Sequence, residues 1–484
     1  MRPHWLAGSA WNLLGIGLPF AVAVVTMPLL LAGLGPDRYG LLLLAWSVVG
    51  YFSVFDFGLS RAITQLVART YRTAPAEAAP VVATGTLVLA AFGVAGGALL
   101  VLAAPHIDAV GSVPPALRDE TVRAVRILGV GLPFVVVSTG LRGALEGVFD
   151  FVGTNVIRLV AGIGTYVAPL LVMVSAVRVD WICAGLVLLR VASAWAYWWR
   201  CRRHFALGTW RGAADGALAR QLLGYGGWIT VSNLVSPVMA YLDRFLVAGA
   251  ISLALTGYYS TTQEILTRMQ VVPGAILAVL FPAIARSVAT APERAGELFA
   301  RGAQYVTWAL LPVAAACLLF AHEGLAWWFG PEFADGAATV ARLLAIGSFV
   351  NCLAQNPFTF LQGIGRPDVT AKLHLLELPL YLAGLWWLTR AYGVVGVALA
   401  WTGRVALDLV LLLWAARRAS APMAPWVSRA AWRMALPVAG LAALWWVTPL
   451  AARAVAWAAV AAVSALMLVR EWRSGTITLV EPAA

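Results

Sequence analysis

Long stretches with no charged residue dominate this chain, and they constrain it more than any other feature. Pro80–Ala104 holds no Asp, Glu, Lys or Arg over its whole length. Such a segment belongs in lipid, where every backbone N–H and C=O must be satisfied within the segment itself, so it is a helix. Strands of a membrane barrel would alternate polar and apolar residues with a period of two, and these stretches do not. Of the 484 residues, 61% are hydrophobic and only 12% are charged, too few to cover a soluble fold of this size. The expected fold is an all-α polytopic membrane protein.

About fourteen spans of bilayer length are expected, at roughly 8–34, 39–67, 80–104, 121–142, 153–177, 181–200, 218–249, 256–285, 299–321, 337–361, 368–390, 393–416, 431–449 and 452–469. The intervening segments are short, the longest near residues 105–120, 201–217, 286–298 and 322–336, and none has room for a soluble domain. The stretch Gly8–Gly35 is too long for the apolar core of a cleaved signal and has no small-residue cleavage site after it.

The net charge is +12, carried almost wholly by arginine, Lys372 being the lone lysine. These cations lie in short loops between apolar spans, which speaks for lipid topology and against nucleic acid. One set of loops holds Arg69 and Arg72, Arg142 and Arg158, Arg200, Arg202, Arg203 and Arg211, Arg286, Arg294 and Arg301, Arg366 and Lys372, Arg417, Arg418, Arg429 and Arg433, and Arg470 and Arg473. The alternate set has far fewer: Arg38, Arg118, Arg123, Arg178, Arg342, Arg390 and Arg453. The richer set is expected in the cytoplasm, with both termini there as well. Cys183, Cys201, Cys317 and Cys352 are scattered, without metal-ligand spacing, and read as reduced packing residues. There is no Walker A, HExxH or GxSxG motif, and no cofactor or metal is expected.

The chain also repeats itself. Leu31-Ala32-Gly33 returns as Val247-Ala248-Gly249, Leu145-Glu146-Gly147 as Leu361-Gln362-Gly363, Arg190-Val191-Ala192 as Arg404-Val405-Ala406, and Arg202-Arg203 as Arg417-Arg418. The offset is about 214–216 residues each time, the mark of two copies of one unit. Six spans per copy is an even number, so the copies run parallel, with a site expected where they meet. The expected organisation is a six-helix bundle over 1–212, a second over 213–420, and two added helices with a short tail over 421–484.

Polar residues inside spans are costly and mark the working parts. Ser53, Asp56, Ser60 and Thr64 fall on one face of the second span, with Arg61 beside it. Asn233, Ser236 and Asp243, with Arg244 adjacent, do the same in the seventh span, and Thr261, Glu264 and Arg268 in the eighth. These stripes are expected to line a hydrophilic cavity for an anionic substrate, whose oxygens suit the guanidinium forks of Arg61, Arg244 and Arg268. The structural alternative is internal ion pairing, Glu264 with Arg268 and Asp56 with Arg61 or a neighbouring helix. Arg190 and Arg404 are equivalent positions of the repeat and read as structural within each lobe. Asp56, Asp243, Glu377 and Asp408 are candidates for a coupling ion. Tyr258 and Tyr259 are candidates for sugar contacts, and tryptophan pairs such as Trp198-Trp199 and Trp386-Trp387 read as an interfacial belt.

Two segments carry a resemblance. The first runs from Leu34-Gly35-Pro36-Asp37-Arg38-Tyr39-Gly40-Leu41 through Gly50-Tyr51-Phe52 to Phe55-Asp56-Phe57-Gly58-Leu59-Ser60-Arg61-Ala62. The second joins Tyr241-Leu242-Asp243-Arg244-Phe245-Leu246-Val247, Gly257-Tyr258-Tyr259 and Val279-Leu280-Phe281-Pro282. Both resemble the O-antigen and polysaccharide flippases of the multidrug/oligosaccharidyl-lipid/polysaccharide exporter superfamily. The resemblance implies two bundles around a V-shaped cavity lined by spans 1, 2, 7 and 8. It implies an undecaprenyl-diphosphate-linked oligosaccharide as cargo, moved across the inner membrane by alternating access, with the arginines holding diphosphate and sugars. It also implies membrane lipid, a polysaccharide polymerase and chain-length proteins as partners. Rival readings are a cation-coupled multidrug antiporter, against which the arginines argue, and a peptidoglycan-precursor flippase, against which stands the lack of Lys or Arg in Gly8–Gly35. An enzyme, a polymerase or ligase, would need a long outer loop that the chain lacks.

Overall fold

The computed structural model describes residues 4–51, 56, 58–71, 75–109, 113–148, 150–205, 215–220, 222, 243–244, 247, 252–364 and 366–474, with side chains from residue 18 onward except at a few positions, Arg61 among them. Every regular element among the described residues is helical. The chain forms two compact units, Met1–Gly257 and Tyr258–Ala484.

The first unit contains α1 (His4–Tyr51), α2 (Leu59–Thr70), α3 (Pro75–Ala103), α4 (Arg118–Gly147), α5 (Phe151–Met173) and α6 (Val179–His204). Helix α1 bends at Gly35, whose φ of 73° an L side chain rarely adopts, and Pro36 opens the next helical stretch with the φ it already favours. Leu59, Ile63 and Val67 of α2 pack with Leu89 of α3 and with Leu128, Leu132 and Leu145 of α4 in one buried cluster. A second cluster joins Leu30, Tyr39 and Leu42 of α1 to Ile182 and Leu186 of α6.

Helix α7 covers Leu253–Thr267. There follow α8 (Val271–Thr290), α9 (Pro292–Leu319), α10 (Ala321–Phe329), α11 (Pro331–Gly363), α12 (Pro367–Ala419), α13 (Ala424–Ala443) and α14 (Leu450–Ser474). Phe299, Phe333, Phe349 and Phe360 are among the largest fully buried side chains of this unit. Helix α12 is two spans in sequence, bent at Gly393 with a φ of 58°.

Element ends recur with the spacing of the sequence repeat. Helix α4 ends at Gly147 and α5 starts at Phe151, and α11 ends at Gly363 where α12 starts at Pro367, an offset of roughly 216 residues. Among the described residues, nine helices are long and apolar enough to cross a membrane, and their exposed faces carry Leu99, Val130, Leu171, Leu188 and Val455. The protein is therefore a multi-pass membrane protein.

Three expected spans differ in detail. The single span expected over 39–67 is interrupted: α1 ends at Tyr51 and α2 begins at Leu59, after Gly58 with a φ of 70°. Ser53, Ser236 and Asn233 lie outside the described residues. The span expected over 256–285 is tightened into one 3-10 turn at Arg268–Gln270, between α7 and α8. The connection expected at 322–336 is helical, because Pro331 starts α11 early and α10 precedes it. Helix α13 starts at Ala424 rather than near 431, with Pro at its first turn.

Candidate functional site

The interruption between α1 and α2 gives Asp56 a local role. It sits just ahead of α2, and its carboxylate accepts the Ser60 backbone N–H at 2.8 Å and the Ser60 hydroxyl at 2.5 Å. That is how a carboxylate serves the unpaired N–H groups of a helix start. Ser60 and Thr64 then continue along α2, Thr64 donating to the Ser60 carbonyl at 2.9 Å. The expected stripe is thus a helix start and its first turns, not one uninterrupted face.

Asp243 and Arg244 are both buried, at 0% and 6% exposure. The Asp243 carboxylate accepts the Arg244 backbone N–H at 2.8 Å. The Arg244 guanidinium donates to the Ser47 hydroxyl of α1 at 3.1 Å, and Ser47 in turn donates to the Leu43 carbonyl at 2.8 Å. A serine relay of this kind spreads a buried cation's demand for acceptors onto the backbone. Ser47 is not among the residues expected at the site; it lies on α1 between the two stretches of the first family-like segment, 34–41 and 50–52.

In the second unit, Glu264 and Arg268 form an ion pair one helical turn apart, both partly exposed. Tyr258 packs edge-on against Phe333 with ring centres 4.7 Å apart, and Tyr259 is fully buried, its hydroxyl accepting from Gln263 at 3.3 Å. Around them α7 carries a run of buried polar residues, Ser260, Thr261, Thr262 and Gln263.

A second polar centre lies on α12. Glu377 is fully buried and its carboxylate oxygens meet no hydrogen-bond donor among the described residues. Asp408 is 6% exposed, with His374 Nε2 3.6 Å from one of its oxygens. Arg404, one turn before Asp408, lies 5.7 Å from the centre of the Tyr381 ring. His374 was also missed, although it is one turn from Glu377 on the same helix.

At the ends of the first unit, ion pairs tie helices together. Arg38 of α1 binds Glu120 of α4, which also accepts the Val179 N–H of α6 at 2.5 Å. Arg123 and Arg178 share Asp180. At the other end Asp150, the N-cap of α5, takes Arg200 at 2.6 and 2.9 Å and His204 at 3.2 Å. Arg200 holds the Asp150 carboxyl well down, to about 2, helped by the Gly153 N–H and His204 against the opposing effect of burial. Among the described residues no group of three His, Cys, Asp or Glu side chains is placed to hold a metal ion.

The chain as a whole is similar to known proteins. The model of a family described as polysaccharide biosynthesis protein matches residues 31–357, about two thirds of the chain by length. The protein belongs to that family. A putative O-antigen transporter of Shigella flexneri is 29% identical over 420 residues, covering 84% of this chain and 97% of that one. Among solved structures, the lipid II flippase MurJ in an inward closed conformation superposes with a TM-score of 0.70 at 10% identity, over 97% of this chain and all of that one. A transporter of the MOP superfamily from Pyrococcus furiosus gives 0.61 at 16% identity, over 86% of this chain and 95% of its own. At such identities the solved structures bear on the fold alone, which is that of MOP-superfamily transporters, whereas the family membership rests on sequence.

Proposed function

We propose that this member of the polysaccharide biosynthesis family is a flippase. Its cargo is an undecaprenyl-diphosphate-linked oligosaccharide, carried from the inner to the outer leaflet of the cytoplasmic membrane by alternating access, for assembly of a surface polysaccharide. The observation that carries this reading is the likeness to an O-antigen transporter along 97% of that protein's length. The cargo is a diphosphate with sugars on one side and a long lipid on the other. It needs cations for the diphosphate and polar groups for the sugars, while the tail stays in the bilayer. Arg61, Arg244 and Arg268 supply the cations in this reading. Asp56, Asn233, Asp243, Glu264, Tyr258 and Tyr259 supply the polar and aromatic lining. Both termini lie in the cytoplasm, following the arginine asymmetry of the loops.

Coupling in this reading runs through Glu377 and Asp408 rather than Asp56 or Asp243. Asp56 is engaged as a helix cap and Asp243 holds a backbone N–H. Glu377 meets no donor among the described residues. Buried acids of that kind are suited to take a proton or a monovalent cation and to release it when the helices rearrange.

The test is complementation. A strain lacking its O-antigen transporter, given this protein with the matching glycosyltransferases, should regain surface polysaccharide. The Arg268→Ala variant, present in the membrane at normal level, should export at least about tenfold less, because a charge-assisted contact to diphosphate is lost, and Arg268→Lys should recover part of it. Full export by Arg268→Ala together with Arg61→Ala and Arg244→Ala would sink the cationic-cavity mechanism. The likeness in fold to a lipid II flippase supports a second reading, a peptidoglycan precursor as cargo. In that case the protein would rescue growth of cells depleted of their lipid II flippase and leave surface polysaccharide unchanged.

A further inference from the structure

Helices α6 and α12 end in the same way. On α6, Trp195, Trp199 and Arg203 follow one another at four-residue spacing, and on α12 Val410, Trp414 and Arg418 do the same at an offset of roughly 215 residues. Residues four apart stand one above the other on a helix, so each trio forms a continuous row. All six side chains are exposed.

In both rows the arginine lies on the tryptophan. The Arg203 guanidinium is 5.9 Å from the centre of the Trp199 ring, which itself stacks on Trp195 with ring centres 5.7 Å apart, and the Arg418 guanidinium is 4.2 Å from Trp414. After the 3-10 turn Ala421–Met423, the start of α13 adds a further stack, Arg429 on Trp426 at 4.8 Å. A guanidinium laid on an indole gives up one face but keeps its N–H fork, which points along its own plane. The ring also fixes the cation at the end of the apolar row instead of letting it reach into water. Each row therefore offers apolar surface for an acyl chain and, at its end, a planar fork at headgroup level. The local charge is of one sign. Arg202 adjoins Arg203 and Arg417 adjoins Arg418, and the sequence has no Asp or Glu between Asp180 and Asp215 or between Asp408 and Glu471. Such an excess of cation attracts phosphate and repels the ammonium of a zwitterionic headgroup.

We propose that the ends of α6 and α12 are each a site for one anionic phospholipid. Its phosphate is held by Arg203 in the first unit and by Arg418 in the second, and an acyl chain lies along the apolar row that leads to it. The stack, rather than charge alone, makes the site, because it holds the fork in one place. Neither site depends on a particular cargo.

Native mass spectrometry of the full-length protein in detergent, titrated with phosphatidylglycerol, tests this. The lipid should bind saturably, and phosphatidylcholine should bind about tenfold more weakly. Glycerol 3-phosphate, a phosphate without acyl chains, should not compete. Arg203→Gln and Arg418→Gln should each weaken one binding step about tenfold, and the double variant both. Trp414→Leu keeps the row apolar but removes the ring, and should weaken the same step as Arg418→Gln. Arg417→Gln removes an equal charge beside the stack and should bind as the wild type does. Equal binding of the two phospholipids would overturn the proposal, and competition by glycerol 3-phosphate would make the ligand a free phosphate instead. A loss in Arg417→Gln as large as in Arg418→Gln would also overturn it, since net charge and not the stack would then hold the lipid.

Discussion

Individual polar side chains are where lipid imposes its strictest terms, and most of those in this protein answer to a named partner. Asp150 is the clearest case outside the spans. It caps α5 and gathers Arg200 and His204 of α6, so that one carboxylate fixes the turn between α4 and α5 against the end of α6. Its pKa is lowered on folding, so its contribution is fully present above the unfolded value, near pH 4, and is lost as pH falls through about 2. Replacing it with Asn should cost about 1–2 kcal/mol at neutral pH, the lower end reflecting the partial exposure of Arg200. Melting curves of wild type and variant should stay separated down to about pH 4 and converge below it. Glu377 is the opposite case, an acid whose oxygens meet no donor among the described residues. Glu377→Gln keeps the shape and removes the charge. In the flippase reading it should leave the folded protein in the membrane and make transport insensitive to an imposed proton or sodium gradient, as read in vesicles loaded with lipid-linked oligosaccharide. Retained gradient dependence would move coupling to another residue.

Between helices, glycine sets how closely backbones approach. A Cβ on Gly143 of α4 would fall 2.5 Å from the Ser60 carbonyl oxygen of α2, and one on Gly93 of α3 would fall 2.6 Å from Pro133 of α4. Apolar association gains little in lipid, so such close contacts carry much of the cohesion between helices. Gly143→Val should therefore lower the melting temperature by about 5 °C or more and reduce the amount recovered from membranes, while Gly274→Val, with nothing near its would-be Cβ, should not. The bends belong to this scale too. Gly35 and Gly393 adopt positive φ, and each divides a long apolar run into two segments. The break between 39 and 67 was harder to see, because Gly58 lies in a run whose polar residues also fit a helical face. The spacing of Asp56 fits a helical face in sequence; the structure adds that its carboxylate accepts the Ser60 N–H and hydroxyl just ahead of α2.

In the second unit, α13 and α14 pack on α9 and close its outer side. Trp457 donates to the Pro312 carbonyl at 3.1 Å, and Arg453 binds the Leu319 carbonyl and Glu323 at 2.8 Å each. Deleting residues 421–484 should expose that face of α9 and lower the melting temperature by more than about 5 °C, measured on the purified protein. If the truncated chain melts like the full one, these helices are peripheral to stability and serve the lipid instead. The sequence by itself determined that the protein is helical and membrane-spanning, because lipid demands internally bonded backbone. It also singled out Asp56, Arg244, Glu264, Arg268, Glu377 and Asp408 as costly residues. Only the tertiary structure decided which of them are capped, paired or left without a donor among the described residues, and that Ser47 and His374 join them. The reason is physical: in a membrane helix the face toward lipid and the face toward protein are both apolar, so hydrophobic pattern gives no bearing on which helices meet.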